Sequence, residues 1–372
     1  MHLSTIITAL ASLGSIVAAH PGHDIRAEAA ERAAYMEGAP LQARSLSHCA
    51  SSIKRRGMTN ANIMRRQQAV RQLREARRLA THAPLLKARD IRGGLNSSHH
   101  SDKHVGPSTD PSELFESGGT CILGPDTTQG PYYVTGELIR KNIVEGQPGV
   151  PLYLDVQMID TNTCEPVPNI YLDFWHCNAT GVYSGVFGWG NGDPNDDSII
   201  DKSFLRGLQK TDAAGVVQIE TIFPGHYQGR AIHIHVLAHS LDETETNDNN
   251  TLADIYTAHA SHVGQFFFDQ DLINTVEETS PYSSNTQPLT MNADDIILLQ
   301  EARMIDPFVE YVLLGDDISD GIFGWISMGL DGKENKEIPP AAFWTEDGGV
   351  ENPKGGWFPP GPPGGGYPPS WD

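Results

Sequence analysis

Positive charge is scarce in this sequence. Lysine and arginine number 26 against 47 aspartates and glutamates, a formal charge of −21. An acidic body does not bind nucleic acid through its charge. Cysteine is scarce too: four in 372 residues exclude a disulfide-dense miniature scaffold. No internal repeat is visible, which excludes a solenoid or propeller. Beyond residue 19 no stretch approaches the ~20 apolar residues that a membrane span needs. The one apolar run, Leu3 to Ala19, is short and ends Val17-Ala18-Ala19. It reads as a secretory signal peptide cleaved after Ala19, although no Lys or Arg precedes its apolar core. The expected location is extracellular, with no membrane span.

What the chain does have is 37 Gly and 25 Pro at 39% hydrophobic content, the composition of a loop-rich β protein. Its charge is unevenly placed. Arg44 to Arg92 holds 13 of the 26 basic residues against Glu75 and Asp90, a net +11, which leaves −32 for the remainder. Residues 20–57 read as a pro-segment or a disordered stretch, with Lys54-Arg55-Arg56 a dibasic processing site. Residues 58–92 read as a basic helix, centred on Asn60 to Lys87, with Ile63, Val70, Leu73 and Leu79 as its apolar stripe. Its preferred reading is a solvated or homodimer-packing helix, ahead of adhesion to an acidic surface such as the chain's own body. Residues 93–120 form a Ser/His/Gly/Pro linker.

A compact domain is expected over 121–330. Strands are predicted at Leu152–Ile159, Ile170–His176, Val216–Phe223, Ile232–Ala238, Val263–Phe268, Phe308–Leu314 and Gly321–Leu330. A short helix is predicted from Asn292, as N-cap, to about Ala302. The fold class is all-β, a β-sandwich core with short helices. Residues 331–372 read as a Gly/Pro/aromatic low-complexity tail that builds no core.

Four cysteines in a secreted chain imply two disulfides. Cys164 and Cys177 flank a turn leading into a strand and are expected to pair, leaving Cys49 to Cys121. Sequons at Asn96, Asn178 and Asn249 fit the same location.

Chemistry concentrates in Pro224-Gly-His-Tyr-Gln-Gly-Arg-Ala-Ile-His-Ile-His-Val236. The period-two pattern after Ala231 indicates a half-buried strand. His233 and His235 then share one face, while Ile232, Ile234 and Val236 take the other. Tyr227 and Arg230 precede them on a glycine-punctuated loop, and the four side chains look like a metal site with supporting groups. Upstream, Trp175-His176 ends a strand and a turn containing Gly181 presents Tyr183-Ser184. Taken together, Trp-His, Gly-x-Tyr-Ser, Pro-x-x-Tyr and Arg-x-x-His-x-His in this order resemble the intradiol ring-cleavage dioxygenases, over roughly Gly124 to Leu272 and beginning with Gln129-Gly-Pro-Tyr-Tyr133.

The resemblance implies a mononuclear non-haem Fe(III) held by Tyr183, Tyr227, His233 and His235. Two phenolates are hard anionic donors that favour ferric iron. It further implies Arg230 and Gln265 as active-site residues, Tyr227 as a base, and a catechol-type small molecule and O2 as partners. The implied reaction opens the ring between its two hydroxyl-bearing carbons to give a muconate-type diacid. His226 is expected in the pocket wall and His176 in a structural role. Signal peptide, sequons and Gly/Pro tail resemble the secreted fungal members. Two other readings stand beside this one: a zinc or copper site built from His226, His233 and His235, and a non-enzymatic wall- or carbohydrate-binding β-sandwich. The position of Tyr183 and Tyr227 relative to the His pair separates them.

Overall fold

The computed structural model describes residues 46–81, 115, 120–122, 130–187, 196–243, 245–254, 256, 258–302 and 305–353. The expected signal peptide, the sequon at Asn96, almost all of the linker and the Gly/Pro-rich end beyond residue 353 lie outside the described residues. The described strands are β1 (Thr120–Ile122), β2 (Val134–Thr135), β3 (Pro151–Asp160), β4 (Tyr171–Trp175), β5 (Arg206–Lys210), β6 (Val216–Ile222) and β7 (His233–His239). They continue with β8 (Ala258–Phe267), β9 (Glu310–Leu313), β10 (Ile322–Leu330), β11 (Lys336–Ile338), β12 (Ala342–Thr345) and β13 (Gly348–Glu351). Helices are α1 (Ala50–Arg55), α2 (Met58–Ala76), α3 (Gln270–Glu277) and α4 (Ile296–Glu301). No described helix is long and apolar enough to cross a membrane.

Two five-stranded sheets make the body. One runs β1-β10-β3-β6, with β9 also on β10; the other runs β11-β8-β7-β4-β5. Strand alternation sets which residues meet between them. Leu152, Leu154, Val156 and Met158 of β3 share a buried apolar cluster with Leu172 and Phe174 of β4 and Ile234, Val236 and Ala238 of β7. The odd-numbered residues of β4 and β7, among them Trp175, His233 and His235, therefore belong to the opposite face of their sheet. That face is not open to solvent, as a half-buried strand would require. All seven residues of β7 are buried. A third sheet, β13-β12-β2, helps cover it with edge strand β11: Ala341 N donates to Tyr133 O at 2.8 Å, and Ala342 and Ile338 of β11 share an apolar cluster with Tyr183, Tyr227 and Trp175.

These strands correct one expectation. Residues 336–351, assigned from composition to a tail, are strands of the domain. Their short apolar runs are too brief to stand out beside the surrounding Gly and Pro.

The basic helix forms but ends at Ala76, short of Lys87, and it packs on the chain's own body. Ile63 and Val70 meet Phe323 and Trp325 on the outer face of the first sheet. Asp155 of β3, fully buried, draws the helix down. Arg65 Nη2 and Nε bind its two oxygens at 2.7 and 2.8 Å, and Arg66 Nε lies 3.4 Å away. Burial alone would raise the Asp155 carboxyl; the two guanidiniums outweigh it and hold it below the ordinary range. The solvated reading of this helix therefore gives way to the one set behind it, adhesion to the acidic body. The periodicity showed an apolar stripe but not the single carboxylate that fixes its partner.

The disulfide differs as well. Cys49 bonds Cys164, and Cys177 is free and buried. Cys164 and Cys177 sit on either side of β4, and the extended strand holds them at its opposite ends. The Cys177 thiol donates instead to Gly225 O at 3.2 Å. With Cys49 so engaged, its expected bond to Cys121 does not form.

Candidate metal centre

Tyr183 is presented by a turn that Asn178 organises. Its Oδ1 accepts from Thr180 N at 3.0 Å and Val182 N at 3.1 Å. Gly181 is required in that turn: φ is +85°, and a Cβ there would lie 2.4 Å from His226 O. Because Asn178 uses its amide in the turn and donates Nδ2 to Gln147, this sequon is partly committed to the fold. Tyr227 comes from the loop entering β7, and His233 and His235 from β7 itself.

The four side chains expected as ligands come together. Tyr227 Oη lies 3.2 Å from His233 Nε2, which lies 3.1 Å from His235 Nε2. The Tyr183 ring is 5.9 Å from that of Tyr227 and 6.3 Å from that of His235, centroid to centroid. All four residues are buried. His233 Nδ1 donates to Ala231 O at 2.6 Å, which leaves Nε2 as the lone-pair nitrogen facing the site. Such an outer hydrogen bond is the usual orienting device of a metal-binding imidazole.

Electrostatics and satisfaction point the same way. Burial pushes the Tyr183 and Tyr227 phenols well above their ordinary pKa. Burial, with Arg230 adding to it, lowers His233 to about 3. Without a cation the site thus holds a neutral His233 imidazole and protonated phenols; a multivalent cation is what favours the phenolates. The Tyr183 hydroxyl is buried without a partner of hydrogen-bond geometry. An orphaned buried donor of this kind costs about 1–3 kcal/mol, so its presence calls for a reason. Two phenols and two imidazoles suit a hard, high-valent transition metal, and on both counts the residues fit the ferric ion that the resemblance implies.

Arg230 and Gln265 sit beside this group. Gln265 is directly opposite His235 across β7 and β8. Arg230 Nη2 donates to Gln265 Oε1 at 2.5 Å, and Arg230 Nε to Asp295 Oδ2 at 2.9 Å. Gln265 Nε2 is buried and unpartnered. Asp295, which the sequence reading passed over, anchors the arrangement. Its Oδ2 also accepts from Ala231 N, and its Oδ1 accepts from Ile297 N and Leu298 N, capping α4. The cap is therefore Asp295 rather than Asn292, whose amide donates to Phe268 O. Burial would raise the Asp295 carboxyl, but Arg230 and the backbone donors hold it below the ordinary range.

Aromatic rings wall the site. Tyr132 stacks on Tyr183 at 4.4 Å and 20°. Trp175 stacks on His235 at 4.8 Å and 4°. Gly130 is needed where the chain passes His235: φ is +70°, and a Cβ there would stand 3.3 Å from His235 Cε1. His226 is buried and engaged elsewhere. Its Nδ1 pairs with Glu277 and its Nε2 with Gln287 O, both at 2.9 Å, so both nitrogens are committed away from His233 and His235. His176 is likewise satisfied, by Cys177 O and Thr221 Oγ1, both at 2.7 Å. A three-histidine zinc or copper site is not assembled, and a binding module has no use for four buried donors meeting at one point.

Two phenols and two imidazoles thus gather on one buried face of a β-sandwich. Residues 124–272 match the family model described as Dioxygenase. The matched segment takes in Tyr183, Tyr227, His233, His235 and Gln265. Over 96 residues the chain is 31% identical to a catechol 1,2-dioxygenase of Pseudomonas sp. (strain EST1001), covering 24% of this chain and 30% of that protein. The aligned segment thus spans under a third of that relative's length. Among solved structures, an intradiol ring-cleavage dioxygenase from Tetranychus urticae is 28% identical, covering 57% of this chain and 96% of the other at a TM-score of 0.46. A catechol 1,2-dioxygenase from Acinetobacter sp. ADP1 is 19% identical, covering 57% and 65% at a TM-score of 0.36.

Proposed function

We propose that this chain is a secreted, Fe(III)-dependent intradiol dioxygenase that cleaves catechol-type rings with O2 to muconate-type diacids. The observation that carries the reading is the gathering of the Tyr183 and Tyr227 rings with Nε2 of His233 and His235 on one buried face. Held by those four residues, a ferric ion would supply the Lewis acidity that draws electron density from a bound catecholate and makes its ring reactive toward O2.

The remaining roles belong to the chain's own side chains. Tyr227 Oη, the phenol next to His233, accepts a proton from a catechol hydroxyl as substrate enters. Arg230, held by Asp295 and Gln265, presents fixed positive charge to the oxygen on which negative charge grows. Tyr132 and Trp175 keep water out and hold Tyr183 and His235 in place. Secretion rests on the apolar leader, and the Cys49–Cys164 disulfide fits an oxidising compartment.

The test is metal analysis of the purified protein with O2 uptake on catechol, hydroxyquinol and protocatechuate. One iron per chain and uptake matched by a ring-opened diacid are expected. Iron-free protein, or a product cleaved outside the diol, would overturn the proposal.

A further inference from the structure

A row of four side chains crosses the second sheet on the metal-facing side. Across β5, β4, β7 and β8 the register pairs Arg206 with Trp175, Trp175 with His235, and His235 with Gln265. His235 and Gln265 belong to the site already described. Arg206 does not, yet it is a fully buried cation at the far end of the row.

Two of its side-chain contacts lead to Tyr183. The guanidinium carbon lies 5.9 Å from the centre of the Tyr183 ring, within the ~6 Å over which a cation is attracted by an aromatic face. Nε donates to Ser184 O at 2.8 Å and lies 3.2 Å from Ser184 Oγ, so Arg206 also grips the backbone next to the tyrosine. Nη1 pairs with Glu137 at 3.1 Å. Glu137 in turn neighbours Asp173, and burial raises both carboxyls, Asp173 to about 7, so the two do not both ionise beside Arg206. Tyr132 stacks on the same ring.

We infer that Arg206 is a positioning residue for Tyr183, holding the phenol in its liganding orientation and damping its electron donation by placing a buried positive charge near its ring. The inference rests on the iron reading above. A purely structural Arg–Glu pair needs only the ion pair and the Ser184 contact. Approach to a ligand's ring carries an electronic consequence that such a pair lacks. Light absorption by phenolate-bound ferric iron moves electron density from ring to metal. A cation beside the ring holds that density back, and removing it makes the transfer easier.

The experiment compares wild-type protein with Arg206→Met, Arg206→Lys and the double variant Arg206→Met/Glu137→Leu, reading iron content and the position of the visible band. The double variant leaves no unpaired carboxylate at Glu137, so it keeps its fold where the single variant fails; apolar replacement of a buried pair is often neutral or stabilising. Arg206→Met, and the double variant if the single one does not fold, is expected to absorb at longer wavelength than wild type, and Arg206→Lys to restore the wild-type maximum. Iron-loaded Arg206→Met or double variant with an unchanged maximum overturns the inference while leaving the iron site standing. Wild-type protein with no iron and no band overturns the iron reading itself.

Discussion

Trp175 lies flat against His235, ring on ring at 4.8 Å and 4°. The two are cross-strand partners on β4 and β7, so the strand register itself delivers the stack. An imidazole held on an indole face and backed by the Tyr133 ring, 5.0 Å from Trp175, has little freedom to rotate. That rigidity separates the roles of the tyrosines from those of the histidines.

Tyr227→Phe removes the oxygen that ligates and then accepts a proton, and it keeps the ring that packs against His233. Some iron is expected to remain on Tyr183, His233 and His235, with turnover down by roughly 10²–10⁴, the range of a lost acid–base group. His235→Ala is expected to lose iron outright. Metal analysis and O2 uptake on the two variants check both. Full activity with an unaltered visible band in Tyr227→Phe would remove Tyr227 from the ligand set.

Asp295→Asn keeps an oxygen to cap α4 but takes away the charge that holds Arg230. Iron content is expected to stay at the wild-type level while turnover falls, because Arg230 is released from its place beside Gln265. Breaking a buried ion pair by neutralising one partner costs about 3–5 kcal/mol, so the denaturant midpoint should fall as well. Arg230→Lys, which cannot reproduce the fork between Asp295 and Gln265, is expected to show the same loss of turnover with iron retained.

Acid should weaken the fold early. Burial lowers His176 to about 4 and His262 to about 3, whereas an unfolded histidine titrates near ~6.5. The neutral form is favoured in the folded state, so these groups contribute stability that is fully present above ~6.5 and is lost as pH falls toward their folded values. Between those limits the unfolded chain binds the additional protons, and stability must decline with falling pH. Urea melts at pH 7 and pH 5 on iron-free protein test this. A constant midpoint across that interval would contradict the burial of both rings.

The domain boundary is open to truncation. Removing the residues after Pro353 leaves β11, β12 and β13 intact and is expected to leave iron content unchanged. A chain ending at Asp331 loses the strand that pairs with β2 and the Ala341 contact to Tyr133. It should bind iron poorly, because Tyr133 then loses its backbone bond to Ala341 and the cover over the site is thinned. Equal iron content in both truncations would show that the third sheet is dispensable for the site.

Much of the site was legible because its chemistry is local. His233 and His235 are two apart on a strand, and Tyr227 and Arg230 lie within eight residues of them, so periodicity and one loop suffice to gather them. Tyr183 and Gln265 became legible only through the order of motifs. Asp295 was invisible because its role is set by a contact 65 positions from Arg230, and in sequence it looks like any helix-starting aspartate. Arg206 sits at the start of β5, a strand whose Arg-Gly-Leu-Gln-Lys sequence carries no alternation to announce it. The sandwich strands β3, β6, β7 and β10 alternate or run apolar and were found within a residue or two. The short strands of the third sheet, a local hairpin anchored to the domain by pairing with Val134 and Thr135 more than 200 residues away, were not.

The disulfide between Cys49 and Cys164 gives the dibasic stretch Lys54-Arg55-Arg56 a particular fate. All three basic residues are exposed at the end of α1, where a protease can reach them. A cut there severs the backbone without freeing the part that carries Cys49, because the sulfur bridge still ties it to the body. The nicked molecule would run as one band on a non-reducing gel and as two after reduction. Maturation at this site would therefore yield a two-chain protein, its light chain shed only where the surroundings turn reducing.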